Sequence, residues 1–282
     1  MFSDDFEIVS LRAGVNTLRS LRHDETFHPV VGPMTEAREL HVRPQNLLQR
    51  SRLETGGCFA IWDVGLGAAA NALAVMEAFQ GVDKLPCAME LHSFDRTRGP
   101  LEFALRHRRE LEYIEAWADV MEHLLRHGTA QVGVVEWHLH EGDFLETVDD
   151  AAIAAPRAIL FDPYSPSSNP ELWNVGLFTR LRRRVVDAFP CTLSSYSRST
   201  AVRVSLLMAG WFVGRGGATG EKEETTIAAS HPSLVEAPLD SRWLEKVARS
   251  TAPGPLICDP HATRLSAIEV AAQLSLHPQF RD

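Results

Sequence analysis

The stretch Phe59-Ala-Ile-Trp-Asp63-Val-Gly65-Leu-Gly67-Ala-Ala69-Ala-Asn71 decides the fold. Its first half is an apolar run ending at Asp63, the pattern of a strand buried on both faces. Its second half turns through Gly65 and Gly67 and enters a helical pattern, Ala69 to Phe79. A strand, a glycine turn and a helix form the first unit of a doubly wound sheet, and glycines there let backbone approach a ligand closely. Taken alone, the motif fits a tight βα turn or a nicotinamide site equally well.

Working outward, short apolar runs alternate with amphipathic segments, which predicts βαβ units and a largely parallel sheet. Strands are expected at Phe59 to Val64, Met89 to Phe94, Val132 to His138, Ala158 to Phe161, Cys191 to Ser194, Gly210 to Val213 and Thr225 to Ala229. Helices are expected at Ala69 to Phe79, Pro100 to Arg108, Glu112 to Arg126, Pro170 to Phe189 and Thr200 to Met208. The last two strands are separated only by Gly214 to Glu224, too short for a crossover helix, and so should form an antiparallel hairpin. The expectation is a seven-stranded, mostly parallel sheet with a terminal antiparallel hairpin. Residues 1–55 carry mixed strand and helix signals and read as a cap, residues 56–230 as the main α/β domain, and residues 231–282 as an extension packed on it.

The 282 residues are 45% hydrophobic and 23% charged, enough to bury a full core. The four cysteines, Cys58, Cys87, Cys191 and Cys258, form no CxxC pair, which suits free thiols in a reducing cytosol. Met1 to Asp5 carries no secretory pattern and no apolar run approaches a bilayer span, so a cytoplasmic location is expected. A formal charge of -9 leaves nucleic acid to a local basic patch at most.

Two details of the glycine turn favour S-adenosylmethionine over a pyrophosphate. Asp63 precedes the first glycine, where a carboxylate repels phosphate but attracts the ammonium of a methionine end, and Ala69 replaces the third glycine of the dinucleotide pattern. Asp95 closes the second strand, where a carboxylate meets ribose hydroxyls; the alternative is a solvated turn aspartate. Gly142-Asp143 follows the third strand, at the place for an adenine amine or simply a turn. The fourth strand ends in Asp162-Pro-Tyr164-Ser-Pro166-Ser-Ser-Asn169-Pro170-Glu171-Leu-Trp173, where Asp162 can orient a nucleophile and Tyr164 can stack on a planar substrate. No metal site is expected: His23 to His28 lacks the HExxH spacing, and His138 and His140, though on one strand face, have no third ligand in the sequence nearby. The run Arg180-Leu-Arg182-Arg183-Arg184 reads first as a solvated helix face and second as a phosphate contact, joined by Arg215, Lys222 and Arg242.

The order of these segments resembles the methyltransferase domain of the MnmC family, which completes 5-methylaminomethyl-2-thiouridine at the tRNA wobble position. The likeness rests on Thr26-Phe27-His28-Pro29, Gly32 and Glu36-Ala37, the Asp63 to Asn71 loop, Gly142-Asp143, the Asp162 to Trp173 stretch with Leu177-Phe178, and Gly214 to Glu224. Asn169-Pro170-Glu171-Leu172-Trp173 is the most specific part. The resemblance implies a class I, Rossmann-like fold, S-adenosylmethionine bound by Asp63, Gly65, Gly67, Asn71, Asp95, Gly142 and Asp143, and a tRNA amine methylated beside Asp162 and Tyr164. Where the family has Asp-Gly-Phe-Ala-Pro, this chain has Asp162-Pro163-Tyr164-Ser165-Pro166, and the family's threonine and glycine are Ala68 and Ala69. The chain is too short to carry the oxidase domain fused to some relatives. The rival expectations are a methyltransferase of the same fold acting on a small molecule or protein, and a non-catalytic S-adenosylmethionine-binding module.

Overall fold

The structure is a computed structural model that describes residues 5–218, 224–251, 254–257 and 265–281. Cys258 and Lys222 lie outside the described residues, as does the middle of the Gly214 to Glu224 turn; Cys58, Cys87 and Cys191 are free thiols. The chain begins with three antiparallel strands, β1 (Phe6–Ser10), β2 (Asn16–Ser20) and β3 (Glu25–Thr26), then α1 (Pro33–Ala37), a π-turn over Arg38–Val42 and α2 (Leu47–Arg52). There follow β4 (Cys58–Val64), α3 (Ala70–Ala78), β5 (Ala88–Asp95), α4 (Gly99–Arg106), α5 (Ala118–His127), β6 (Thr129–Val132), β7 (Val135–Glu141), α6 (Phe144–Thr147) and β8 (Pro156–Phe161). The chain continues through α7 (Val175–Arg184), β9 (Thr192–Ser195), α8 (Thr200–Met208), β10 (Phe212–Gly216), β11 (Thr225–Ala229), α9 (Ser241–Ala248) and α10 (Ala267–Leu274).

The large sheet runs β10-β11-β9-β8-β4-β5-β7-β6, with eight strands rather than the seven expected. The stretch anticipated as one strand, Val132 to His138, is two: it folds back at Gly133, whose φ of 55 is the left-handed value glycine accepts, so β6 pairs antiparallel with β7. At the other edge β10 and β11 form the expected antiparallel hairpin. Two expected helices are also interrupted. A 3-10 turn over Glu112–Trp117 precedes α5, and Pro170–Leu172 forms its own turn, after which Asn174 caps α7 through Leu177 N–H. Pairing also supplies what His138 and His140 lacked, because Glu90 and His92 sit opposite on β5 and share their face.

β4 is the centre of the sheet and is buried on both sides. Ile61 faces the core formed with α3, α4 and α5, while Trp62 and Val64 face the one formed with α7 and α8. Alternation along one strand thus feeds two apolar layers. The chain ahead of β4 is fastened to the same sheet by polar groups that have no other exit from the interior. Arg50 donates to Thr192 Oγ1 and to the carbonyls of Arg157 and Pro190, at 2.6, 2.6 and 3.0 Å. Glu54 meets Arg157 Nε at 2.9 Å, both side chains under 10% exposed, and the Arg157 guanidinium lies 4.3 Å above the Phe189 ring. Removing one member of a buried pair strands the other charge. Glu54→Ala should therefore lower stability to urea by about 3–5 kcal/mol, while Arg43→Ala, at an exposed helical pair, should change it by less than about 0.5 kcal/mol.

Candidate active site

Ligands in doubly wound sheets sit off the carboxyl ends of strands, where the strand order changes direction. Here that point lies at β4, with β5 on one side and β8 on the other. A cavity of about 890 Å³ opens above it, walled by the glycine turn, the Asp95 and Asp143 loops, the Asp162 loop and the β2–β3 hairpin. The strand ends almost touch at Gly65. A side chain on Gly65, whose φ is 96, would begin 2.6 Å from the Asp162 carbonyl oxygen. Only glycine fits there. Ala69, which replaces a family glycine, still adopts the left-handed conformation at φ 66 as the N-cap of α3, so the turn keeps its shape at a cost of about 1 kcal/mol.

Asp162 sits where β8 ends, its N–H bonded to Val64 O at 2.9 Å. Its Oδ2 accepts from Asn71 Nδ2 at 2.8 Å and lies 3.9 Å from His28 Nε2 and 3.8 Å from His41 Nε2. Burial alone would push this carboxyl up; the His41 and His28 imidazoles and the Asn71 amide overcome it and hold the pKa below the ordinary value. His41 is fully buried and fixed by Ser194 Oγ on Nδ1 at 2.7 Å, and Ser194 in turn accepts from Gln45 Nε2 at 2.6 Å. A Ser194 hydroxyl that donates to Nδ1 leaves the His41 hydrogen on Nε2, facing Asp162. Nothing in the local pattern marks His41, and His28 stands out only through the resemblance noted for Thr26 to Pro29. Both come from the segment ahead of β4 and reach Asp162 across more than 100 residues of chain.

The loop after Asp162 is held on three sides. Glu25 accepts from Ser165 N and Ser165 Oγ at 3.0 and 2.6 Å, and also from the Ser168 hydroxyl. Tyr196 Oη donates to Pro163 O at 3.1 Å. Trp173, fully buried, donates its indole N–H to Tyr164 O at 2.7 Å, which is the structural use of the Asn-Pro-Glu-Leu-Trp signature. Tyr164 is left on the cavity wall, stacked on His23 with ring centroids 4.1 Å apart.

The other anticipated residues divide into two groups. Gly65, Gly67, Asp95, Gly142 and Asp143 line the cavity. Asp95 Oδ2 accepts from Gly67 N at 2.9 Å, which sets the glycine turn against the end of β5. Asp143 caps α6 through Leu145 N–H at 2.9 Å and pairs with Arg96 at 3.0 Å, so it serves as a turn residue as well as a wall. Asp63 and Asn71, by contrast, lie beneath the floor. Asp63 is wholly buried, with Oδ2 on the Ser93 hydroxyl at 2.9 Å. Burial first, then the charges of Asp162 and Asp95, push its carboxyl up to about 7. Asn71 spends its amide on Asp162.

Residues 111–231 match a family model described as an S-adenosyl-L-methionine-dependent methyltransferase. The chain is 28% identical over 269 residues to the tRNA 5-methylaminomethyl-2-thiouridine biosynthesis bifunctional protein MnmC of Ralstonia nicotianae, covering 88% of this chain and 36% of that protein. To the same bifunctional protein of Ectopseudomonas mendocina it is 30% identical over 243 residues, 80% of this chain and 35% of that one. The crystal structure of MnmC2 from Aquifex aeolicus superposes with a TM-score of 0.71 at 23% identity, over 96% of this chain and 84% of that one. In fold the chain resembles MnmC2, and in sequence it is similar to part of the bifunctional MnmC protein. It spans about a third of the length of the curated relatives it matches. Among the described residues no helix is long and apolar enough to cross a membrane.

The raised Asp63 carboxyl makes stability depend on pH. A folded-state pKa near 7, above the ordinary 3.8, means that the folded chain holds this proton more tightly than the unfolded one. The associated stability is full below pH about 4 and is lost as pH rises to about 7. Asp63→Asn removes the titration and keeps an acceptor for Ser93. Its melting temperature relative to the parent should rise between pH 5 and pH 8 and level off above; a flat difference would show Asp63 ionised throughout.

Proposed function

We propose that the chain is an S-adenosylmethionine-dependent N-methyltransferase that methylates the aminomethyl group of 5-aminomethyl-2-thiouridine at the tRNA wobble position. The observation that carries this reading is Asp162: an ionised carboxylate at the mouth of β8, fixed by Asn71 and His41, 3.9 Å from His28 and roofed by Tyr164. The names of the matched relatives and the family signature point the same way.

The residues around the cavity fit S-adenosylmethionine. Gly65 leaves room where any side chain would collide with Asp162 O, and Asp95 offers carboxylate oxygens on the wall at the end of β5, suited to ribose hydroxyls. When bound, S-adenosylmethionine supplies a methyl on a sulfonium; an N–C bond forms as the C–S bond breaks, and the amine loses one proton. The chain's own task is to align that amine and manage its proton. A free alkyl amine has a pKa of about 10 and arrives as an ammonium. Asp162, ionised well into acid, accepts an N–H and fixes the direction of the lone pair. Its depressed pKa makes it a weak base, so it acts mainly by pairing and orientation. Asp63, buried and outside the cavity wall, shapes the floor together with Asn71 instead of meeting the methionine ammonium directly. The division at residues 55 and 230 follows on this reading, with the cap supplying His23, His28 and His41 to the main domain. A tRNA substrate places the enzyme in the cytoplasm.

The decisive experiment is single-turnover methylation of tRNA from cells lacking the final methyl group, read by nucleoside analysis with labelled S-adenosylmethionine. Asp162→Asn should lower the rate by about 10²-fold or more with cofactor affinity unchanged; full turnover in that variant would overturn the assignment. For the parent, kcat/KM should climb with pH between 6 and 8 as the amine deprotonates, with no inflection from Asp162 in that range. A second reading, a small-molecule amine, is favoured by the net charge of -9. Salt separates the two: affinity for a polyanion falls steeply as salt rises, and affinity for a small neutral or cationic substrate does not.

A further inference from the structure

On the face of β5 and β7 that looks away from α3 and α5, two successive rungs of the ladder carry the same pair of side chains. Glu90 is the register partner of Glu136, and His92 is the register partner of His138. The His92 and His138 rings stack with centroids 4.7 Å apart and planes 16° from parallel. We propose that these two rungs form a binding site for one divalent transition-metal cation of the zinc class, distinct from the active-site crevice.

The donor set is already gathered. Ligand atoms of Glu90, His92 and His138 all lie within 4.8 Å of one another. His92 Nε2 is 2.9 Å from Glu90 Oε2, and Glu136 Oε1 lies 3.5 Å from His138 Nε2, at the margin of this group. Around one tetrahedral zinc, nitrogen and oxygen donors stand about 3.4 Å apart, so closure needs movements of about 1 Å. Two imidazoles with carboxylates suit zinc and its neighbours; calcium and magnesium prefer all-oxygen shells.

Two features are costly without a cation. Like charges directly opposed across neighbouring strands are destabilising, and Glu90 faces Glu136 in this way. His138 Nε2 is a buried nitrogen that makes no hydrogen bond, its nearest carboxylate, Glu136, standing off at 3.5 Å. A single divalent ion answers both. His140 completes the arrangement: its Nε2 lies 3.0 Å from His92 Nδ1, which turns His92 Nε2 toward Glu90, as outer partners of ligating histidines do. His92 is three residues before Asp95, about 10 Å along the strand. The ion would therefore pin β5 to β7 beneath the crevice and take no part in the chemistry there.

The test uses the full chain equilibrated with zinc alone, desalted, and analysed for metal per chain by mass spectrometry, with affinity from competition against a chromophoric chelator. The parent should retain one zinc. Glu90→Gln and His138→Asn should lose it with far-ultraviolet circular dichroism unchanged, and His140→Gln should bind about 10- to 100-fold more weakly. His127→Asn is the control, since His123 and His127 on α5 lie with ring centroids 4.3 Å apart and offer a competing surface pair. Should a variant misfold, the parent still answers: zinc must protect His92 and His138 from diethyl pyrocarbonate, read peptide by peptide. No retained zinc, unaltered binding in Glu90→Gln and His138→Asn, loss in His127→Asn, or unprotected His92 and His138 would each overturn the site.

Discussion

The contact on which the site depends is the approach of Gly65 to the backbone of Asp162. Parallel pairing of β4 with β8 carries both strand ends to the same edge, with Asp162 N–H on Val64 O at 2.9 Å, and the chain then has to leave in two directions. A side chain at residue 65 would begin 2.6 Å from a carbonyl oxygen, so the divergence is possible only with glycine. Everything above the sheet follows from that spacing. The glycine turn lies low enough for Asp95 to accept from Gly67 N–H, and Phe27 of the hairpin packs over Gly67, where an added carbon would meet its ring at 3.0 Å. Ala69 keeps the turn in a left-handed conformation that alanine disfavours. The strain persists because α3, wholly buried along its first two turns, leaves the turn nowhere else to go.

Three aspartates around this contact show how environment sets the role of one side-chain type. Asp63, sealed under the sheet edge with a single hydroxyl on one oxygen, is pushed up to about 7. Asp162, also buried, is pulled down because imidazoles and an amide converge on it. Asp95, on the cavity wall, is raised by burial even though Gly67 and Thr97 amides donate to it. Burial opposes charge at all three; only at Asp162 do two imidazoles converge to outweigh it. Pushing titratable groups apart in this way assigns acid, base and anchoring roles within a small volume.

Much of this was legible from local pattern. The apolar run to Asp63, the glycine turn and the helix after it are contiguous, and their period announces them. The Asp162 to Trp173 segment was legible too, although the reason for Trp173, an indole bond to Tyr164 O, is not. What the sequence concealed is whatever depends on pairing between distant segments. Asn71 reads as part of a cofactor loop but spends its amide on a residue 91 positions away. His41 lies in an undistinguished helical stretch and meets Asp162 only because Gln45 and Ser194 hold its ring under β8. The eighth strand was hidden because Gly133 lies inside an apolar run that is otherwise unbroken enough to pass for one strand. Glu90, His92, Glu136 and His138 form two rungs only in the register of β5 on β7, which no spacing along the chain encodes.

The acidic character of the chain bears on how a nucleic acid would be held. Most of the arginine run on α7 is engaged within the chain: Arg180 with Asp149 and the Leu145 carbonyl, Arg182 with Asp187, Arg184 with the Ile153 carbonyl and the face of Trp62, while Arg183 is exposed. Arg96 at the cavity rim is shared between Asp143 and Glu171. With those cations engaged, phosphate contacts on these faces fall to the exposed Arg183 and to Arg22 on the cavity wall, and the nucleotide itself is read beside them. The His23–Tyr164 stack, edged by Phe27 at 5.6 Å from Tyr164, is a flat aromatic surface on the wall beside Asp162. A base turned out of its stack onto such a surface is read by shape and ring contact, while the cations beside it meet the backbone. The same hairpin that supplies His23 supplies Glu25 to the Asp162 loop, so the stacking surface and that loop are tied to one element.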